Sequence, residues 1–112
     1  MQESADAELV SVLDRIRSQA TSGWIRITQH AHEEMVEEGI SLADVLQAIQ
    51  NSTMLEYYSE HRRGPCCLLN GFTSAGRPVH VVCTTAQQVL ILITVYEPKP
   101  PKWETPIQRS ER

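Results

Sequence analysis

Val89-Leu90-Ile91-Leu92-Ile93-Thr94-Val95 is apolar at odd and even positions alike, so either face of an extended chain here would be buried. Such a strand belongs inside a sheet, covered at least partly on each side. Working back from it, a period of two persists to Thr53. Strands are expected over residues 54–59, 66–72, 77–85 and 88–97, with Pro65 opening the second and Thr73-Ser74-Ala75-Gly76 turning the chain into the third. Connections this short join antiparallel neighbours.

Ahead of Thr53 the period is 3.6. Leu9, Val10, Leu13 and Ile16 place one helix over residues 4–19, which Thr21, Ser22 and Gly23 should break. Trp24-Ile25-Arg26-Ile27-Thr28 reads as a short strand. Thr28 can cap a second helix that ends at Gly39, and Ser41 with Asp44 three residues on can cap a third over residues 42–50. The expected fold is α+β: N-terminal helices packed on a twisted antiparallel sheet of four to five strands. Residues 1–23 read as an N-terminal helical extension, 24–104 as the domain, in which Trp103 pins the extended proline-rich stretch before it, and 105–112 as a loose tail.

A chain of 112 residues makes one core. Its acidic start, Met1-Gln2-Glu3-Ser4-Ala5-Asp6, does not suit a secretory signal, and no apolar run reaches the roughly 18 residues a bilayer demands, so no membrane partner and a cytoplasmic location are expected. Cys66, Cys67 and Cys83 lack zinc-site spacing and read as small apolar strand residues, with a Cys66–Cys83 contact conceivable across a hairpin. The net charge of -4 conceals a division. Residues 1–60 hold eleven Asp and Glu against three Arg; residues 61–112 hold seven Lys and Arg against three Glu. A basic half can bind an anion that the average charge would repel.

Candidate chemistry is thinly spread. His32-Glu33 starts like a zinc-protease motif, but Val36 stands in the second histidine's place, and no metal or cofactor is expected. His30 and Glu34 share a helix face. Arg62 and Arg63, beside His61, suit a phosphate, because guanidinium is planar, multidentate and permanently charged. His80 alternates with Pro78, Val82 and Thr84 on the strand face opposite Val79, Val81 and Cys83, which should be the less covered side. Tyr96 ends the central strand near Lys99 and Lys102, and Arg77 sits at the preceding hairpin. No Ser/His/Asp arrangement, phosphate-binding glycine loop or paired-carboxylate site is visible.

Ile27-Thr28-Gln29-His30-Ala31, then Met35, Glu38-Gly39-Ile40-Ser41 and Asp44-Val45, with Gly76-Arg77-Pro78-Val79-His80-Val81-Val82 and Ile93-Thr94-Val95-Tyr96-Glu97-Pro98, closely resemble a widespread bacterial family of unknown function. The resemblance covers roughly residues 25–103. That family looks like a distant relative of the RelE, BrnT and MqsR toxin ribonucleases. The kinship implies a RelE-like fold, metal-independent mRNA cleavage, and a cognate antitoxin, a small zinc-finger or DNA-binding protein, as partner. Glu38 departs from the arginine usual before Gly-Ile-Ser.

Metal-free RNA cleavage needs a base for the 2′-hydroxyl, cations for the phosphoryl oxygens and an acid for the leaving 5′-oxygen. His30 and His80 are the acid–base candidates, with Tyr96 assisting and Arg62, Arg63, Arg77 and Lys99 holding phosphate. The rival expectation is a non-catalytic, toxin-like module that holds a protein partner by strand addition at an edge such as residues 54–59.

Overall fold

The computed structural model describes residues 2–62 and 64–111, with side chains from residue 7 onward; Arg63 lies outside the described residues. Helices α1 (Gln2–Ser22), α2 (Gln29–Glu38) and α3 (Leu42–Gln50) accompany strands β1 (Ile25–Ile27), β2 (Thr53–Tyr58), β3 (Cys66–Phe72), β4 (Pro78–Thr84) and β5 (Leu90–Tyr96). A small hairpin follows, β6 (Trp103–Thr105) and β7 (Gln108–Arg109). The main sheet has the order β1-β5-β4-β3-β2.

Local capping chemistry explains α2 and α3. The Thr28 side chain accepts the Ala31 amide, and Gly39 ends the helix at φ +66°, a conformation that costs other residues a steric penalty. Ser41 and Asp44 form a reciprocal capping box at the start of α3. α1 runs three residues beyond the expected end. Thr21 and Ser22 do not break it, because their hydroxyls donate to the carbonyls of Arg17 and Gln19 in the preceding turn.

One core lies between the helices and one face of the sheet. Ile16, Ala31, Val45, Ile49, Leu69, Val79, Val81, Cys83, Leu90, Leu92 and Val95 belong to it. Each large member removed from water contributes about 1.5–3 kcal/mol. α1 packs on this core: Ile16 and Ala20 are buried in the same cluster and Arg17 donates to the Ser52 carbonyl at 2.7 Å. The backbone of α3 touches the sheet at Gly71, where an added Cβ would come within 1.9 Å of the Ala48 carbonyl oxygen.

The sheet is mixed, not antiparallel. β1 runs parallel to β5, with Ile25 opposite Leu90 and Ile27 opposite Leu92. The chain leaves β1 through two helices and three strands before it returns, so β1 meets β5 from outside and in the same sense. β5 is interior, as its two-sided apolar pattern requires, although β4 is the middle strand. Cys67, not Cys66, lies opposite Cys83, and all three thiols are free and buried. Of the residues expected to be loose, Thr105, Gln108 and Arg109 lie in the β6–β7 hairpin. Among the described residues no helix is long and apolar enough to cross a membrane.

Candidate functional site

Strand alternation sends Val79 and Val81 into the helix-side core and His80 to the opposite face. There the registers set Asn70, His80 and Tyr96 in one row across β3, β4 and β5. The face was expected to be the less covered one. Instead the hairpin seals it, and His80 has no exposed surface. The Trp103 ring stands edge-on to His80, with centroids 4.4 Å apart.

The hydrogen bonds in this row have a fixed direction. The Pro106 carbonyl can only accept, so His80 Nε2, 2.6 Å away, donates to it. His80 Nδ1 is then the acceptor of a neutral ring, and the Tyr96 hydroxyl donates to it across 3.1 Å. Trp103 Nε1 donates in turn to the Tyr96 oxygen at 3.2 Å. Burial pushes the His80 pKa down, a shift the Pro106 carbonyl opposes, and burial pushes the Tyr96 pKa up. Beside them the Asn70 side-chain oxygen is buried without a hydrogen-bond partner among the described residues, which is rare for such an atom.

An ionic clasp holds the hairpin down. Arg109 grips both oxygens of Glu56 on β2, at 2.6 and 2.8 Å, and its guanidinium lies 4.6 Å from the centre of the Trp103 ring. Tyr58 donates to the same carboxylate. The hydrogen bond from Arg109 brings the Glu56 pKa down to about 2, while burial, reinforced by Glu56, pushes the Tyr58 pKa up to about 12. Lys102 reaches over Tyr96, 6.0 Å from its centroid.

β1 covers β5 only as far as Leu92, and side chains of α2 seal the remaining edge. Thr28 donates to the Ile93 carbonyl at 3.0 Å, Glu34 accepts the Val95 amide at 2.8 Å, and Glu38 accepts the Glu97 amide at 2.9 Å. His30 Nε2 lies 3.3 Å from the same Glu34 oxygen, on a side chain that is 65% exposed. Burial raises the Glu34 pKa; the Val95 amide and His30 oppose that rise.

The candidates named from the sequence thus divide. His30, by way of Glu34, and His80, by way of Tyr96, arrive at the last two residues of β5 from opposite sides. Arg77 is committed elsewhere: it donates to Glu97 at 2.6 Å and to the Glu38 and Gly39 carbonyls at 2.7 and 3.2 Å, closing the C-terminal end of α2. Arg62 is exposed in the β2–β3 connection, at the other end of the sheet. Four residues separate Asn70 from the start of β3, a run of about 13 Å at ~3.3 Å per residue, so Arg62 is not part of the row. Lys99 is exposed, and its carbonyl accepts the Trp103 amide. Asn70, Glu56, Trp103 and Arg109 were not named as site residues; a lone amide in Cys66-Cys67-Leu68-Leu69-Asn70 was the available signal. Among the described residues no three His, Cys, Asp or Glu side chains gather as a metal site.

These features define a class: an α+β domain whose mixed sheet is sealed by helix α2 at one edge and carries a hairpin-covered polar row on its helix-free face. The chain belongs to the DUF4258 family, described as a domain of unknown function, whose model matches residues 27–97. The match runs from the last residue of β1 to just past β5 and leaves α1 and the covering hairpin outside it. No curated protein and no solved structure matches the chain.

Proposed function

We propose that this domain is the toxin of a toxin–antitoxin pair, related to the RelE, BrnT and MqsR ribonucleases, and that it cleaves RNA without a metal ion at the end of β5. The observation that supports the reading is that two histidines, one exposed and one buried, act through Glu34 and Tyr96 on adjacent residues of β5, Val95 and Tyr96. His30 is open to solvent and held by Glu34, so it takes the proton of the 2′-hydroxyl as that oxygen attacks phosphorus. Lys99 and Lys102 face the developing phosphoryl charge. When the hairpin lifts, the Tyr96–His80 pair returns a proton to the departing 5′-oxygen, leaving a 2′,3′-cyclic phosphate.

The test is RNA cleavage by the purified chain in excess chelator, read by product ends. His30→Ala should slow it about 10²–10⁴-fold, the usual worth of a positioned acid–base group. Full cleavage or full growth inhibition by the His30→Ala/His80→Ala double variant would sink the assignment. The expected partner, a small DNA-binding antitoxin, should relieve growth inhibition on co-expression.

One observation favours the rival, non-catalytic module: both His80 ring nitrogens are satisfied in a fully covered ring. A binding module of that kind holds a protein and shows no salt-dependent affinity for RNA, whereas the nuclease does.

A further inference from the structure

We propose that the open edge of β2, together with the adjoining wall of α1, is the docking site for an extended, basic strand of a partner protein. The inference does not depend on RNA cleavage and stands or falls separately from it.

The two edges of the sheet are treated differently. At the β5 side, Thr28, Glu34 and Glu38 occupy backbone groups that β1 leaves open. β2 ends the sheet on the other side. Among the described residues, no strand or side chain bonds to its outward backbone. An edge strand in that state offers a row of donors and acceptors to any extended chain.

Specificity comes from what lies beside that edge. A groove of about 380 Å³ runs between α1 and β2, lined by Leu9, Val10 and Leu13 on one side and the Met54-Leu55-Glu56-Tyr57 run on the other. The pairing of β2 with β3 shifts register between Met54 and Glu56, so Leu55 is an additional apolar residue at this wall. Val10 is 61% exposed. A strand added to β2 would direct every second side chain toward this groove, and apolar ones fit its lining.

Charge selects the occupant. Glu8, exposed on α1, adds a negative charge beside the groove, and none of its lining residues is basic. The Glu8 charge reaches the Tyr57 hydroxyl, where with burial it raises the pKa. A basic strand complements this charge. Glu56, the acidic residue of β2 itself, is already neutralised by Arg109 on the opposite face.

The experiment uses the full chain, isotope-labelled, and an octapeptide alternating valine and lysine. Shifts should centre on residues 8–13 and 53–58, and outward amides of β2 should become protected from hydrogen exchange. A twin peptide methylated at alternate backbone nitrogens should not bind. Val10→Lys, a change at an exposed position, should weaken binding at least tenfold while leaving the circular dichroism of the free chain unchanged. Three outcomes overturn the proposal: no shifts at millimolar peptide; equal shifts with a lysine–glycine octapeptide, which would mean plain charge attraction; or a dimer in sedimentation with β2 already protected, which would give the edge to a second copy.

Discussion

Glu38 shows how one residue's role depends on its backbone surroundings. By the resemblance drawn from the sequence it stands where an arginine was expected and reads as a lost RNA contact. In the structure its carboxylate accepts the Glu97 amide at the end of β5, a task no guanidinium can perform. Glu38→Arg should therefore cost about 1 kcal/mol, the net worth of a hydrogen bond, and speed exchange of the Glu97 amide. Glu38→Gln keeps an acceptor and should restore both; equal urea midpoints for the arginine variant and the natural chain would refute this role. Two glycines make a sharper pair. At Gly71 an added methyl meets backbone of α3, at 1.9 Å from an oxygen that cannot swing aside. Overpacking of this kind costs roughly 3 kcal/mol or more. At Gly39 space is open and only the positive φ is penalised, by about 1 kcal/mol. Chemical denaturation should rank Gly71→Ala well below Gly39→Ala in stability, and the reverse order would mean that α3 does not press on β3 as described.

The β6–β7 hairpin is the element whose hold should depend on acidity. The His80 pKa is depressed in the covered state, so below about 6.5, the ordinary histidine value, the open form binds a proton that the covered form resists. That contribution to closure is complete above pH 6.5 and fades as pH falls. The Glu56 pKa is depressed from 4.5 to about 2, so its contribution is complete above 4.5 and is lost on the way to 2. Both act in the same direction. In a Trp24→Phe background Trp103 is the remaining tryptophan. Its emission should shift red in two stages on acidification, with Glu56→Gln erasing the lower stage while far-ultraviolet dichroism holds. An emission maximum constant from pH 7.5 to 3 would mean the clasp is not what keeps the hairpin closed. The same hairpin marks where sequence reading stopped. α2, α3 and β3 were legible to the residue because capping residues and periodicity are local signals. β6 and β7, three and two residues long, have no period to read; contacts to Tyr96, His80 and Glu56, dozens of positions away or on other strands, hold them in place. The direction of β1 was hidden for the same reason, since its pairing partner lies some 65 residues on. His80 was assigned to the correct face, and its cover could not be seen from the strand alone.

At the scale of the molecule, the charge division acquires a geometry. Two of the seven cations in the second half are spent internally, Arg77 on Glu97 and Arg109 on Glu56. Arg62 stands at the far end of the sheet from Tyr96, which leaves Lys99 and Lys102 as the described cations beside the end of β5. If RNA binds there, its affinity depends on counterions those two lysines release. Each contact to a single strand contributes about 0.7 to the slope of log affinity against log salt concentration. Lys99→Ala/Lys102→Ala should therefore flatten that slope by about 1.4, from twice ~0.7, in filter binding over graded potassium chloride. Arg62→Ala should change it far less, because a short strand seated at Tyr96 does not extend to the opposite end. A slope indifferent to the two lysines but reduced by Arg62→Ala would move the RNA surface to the β2–β3 connection and detach it from both histidines. The charge test thus discriminates between two sites on one sheet even before any cleavage is measured.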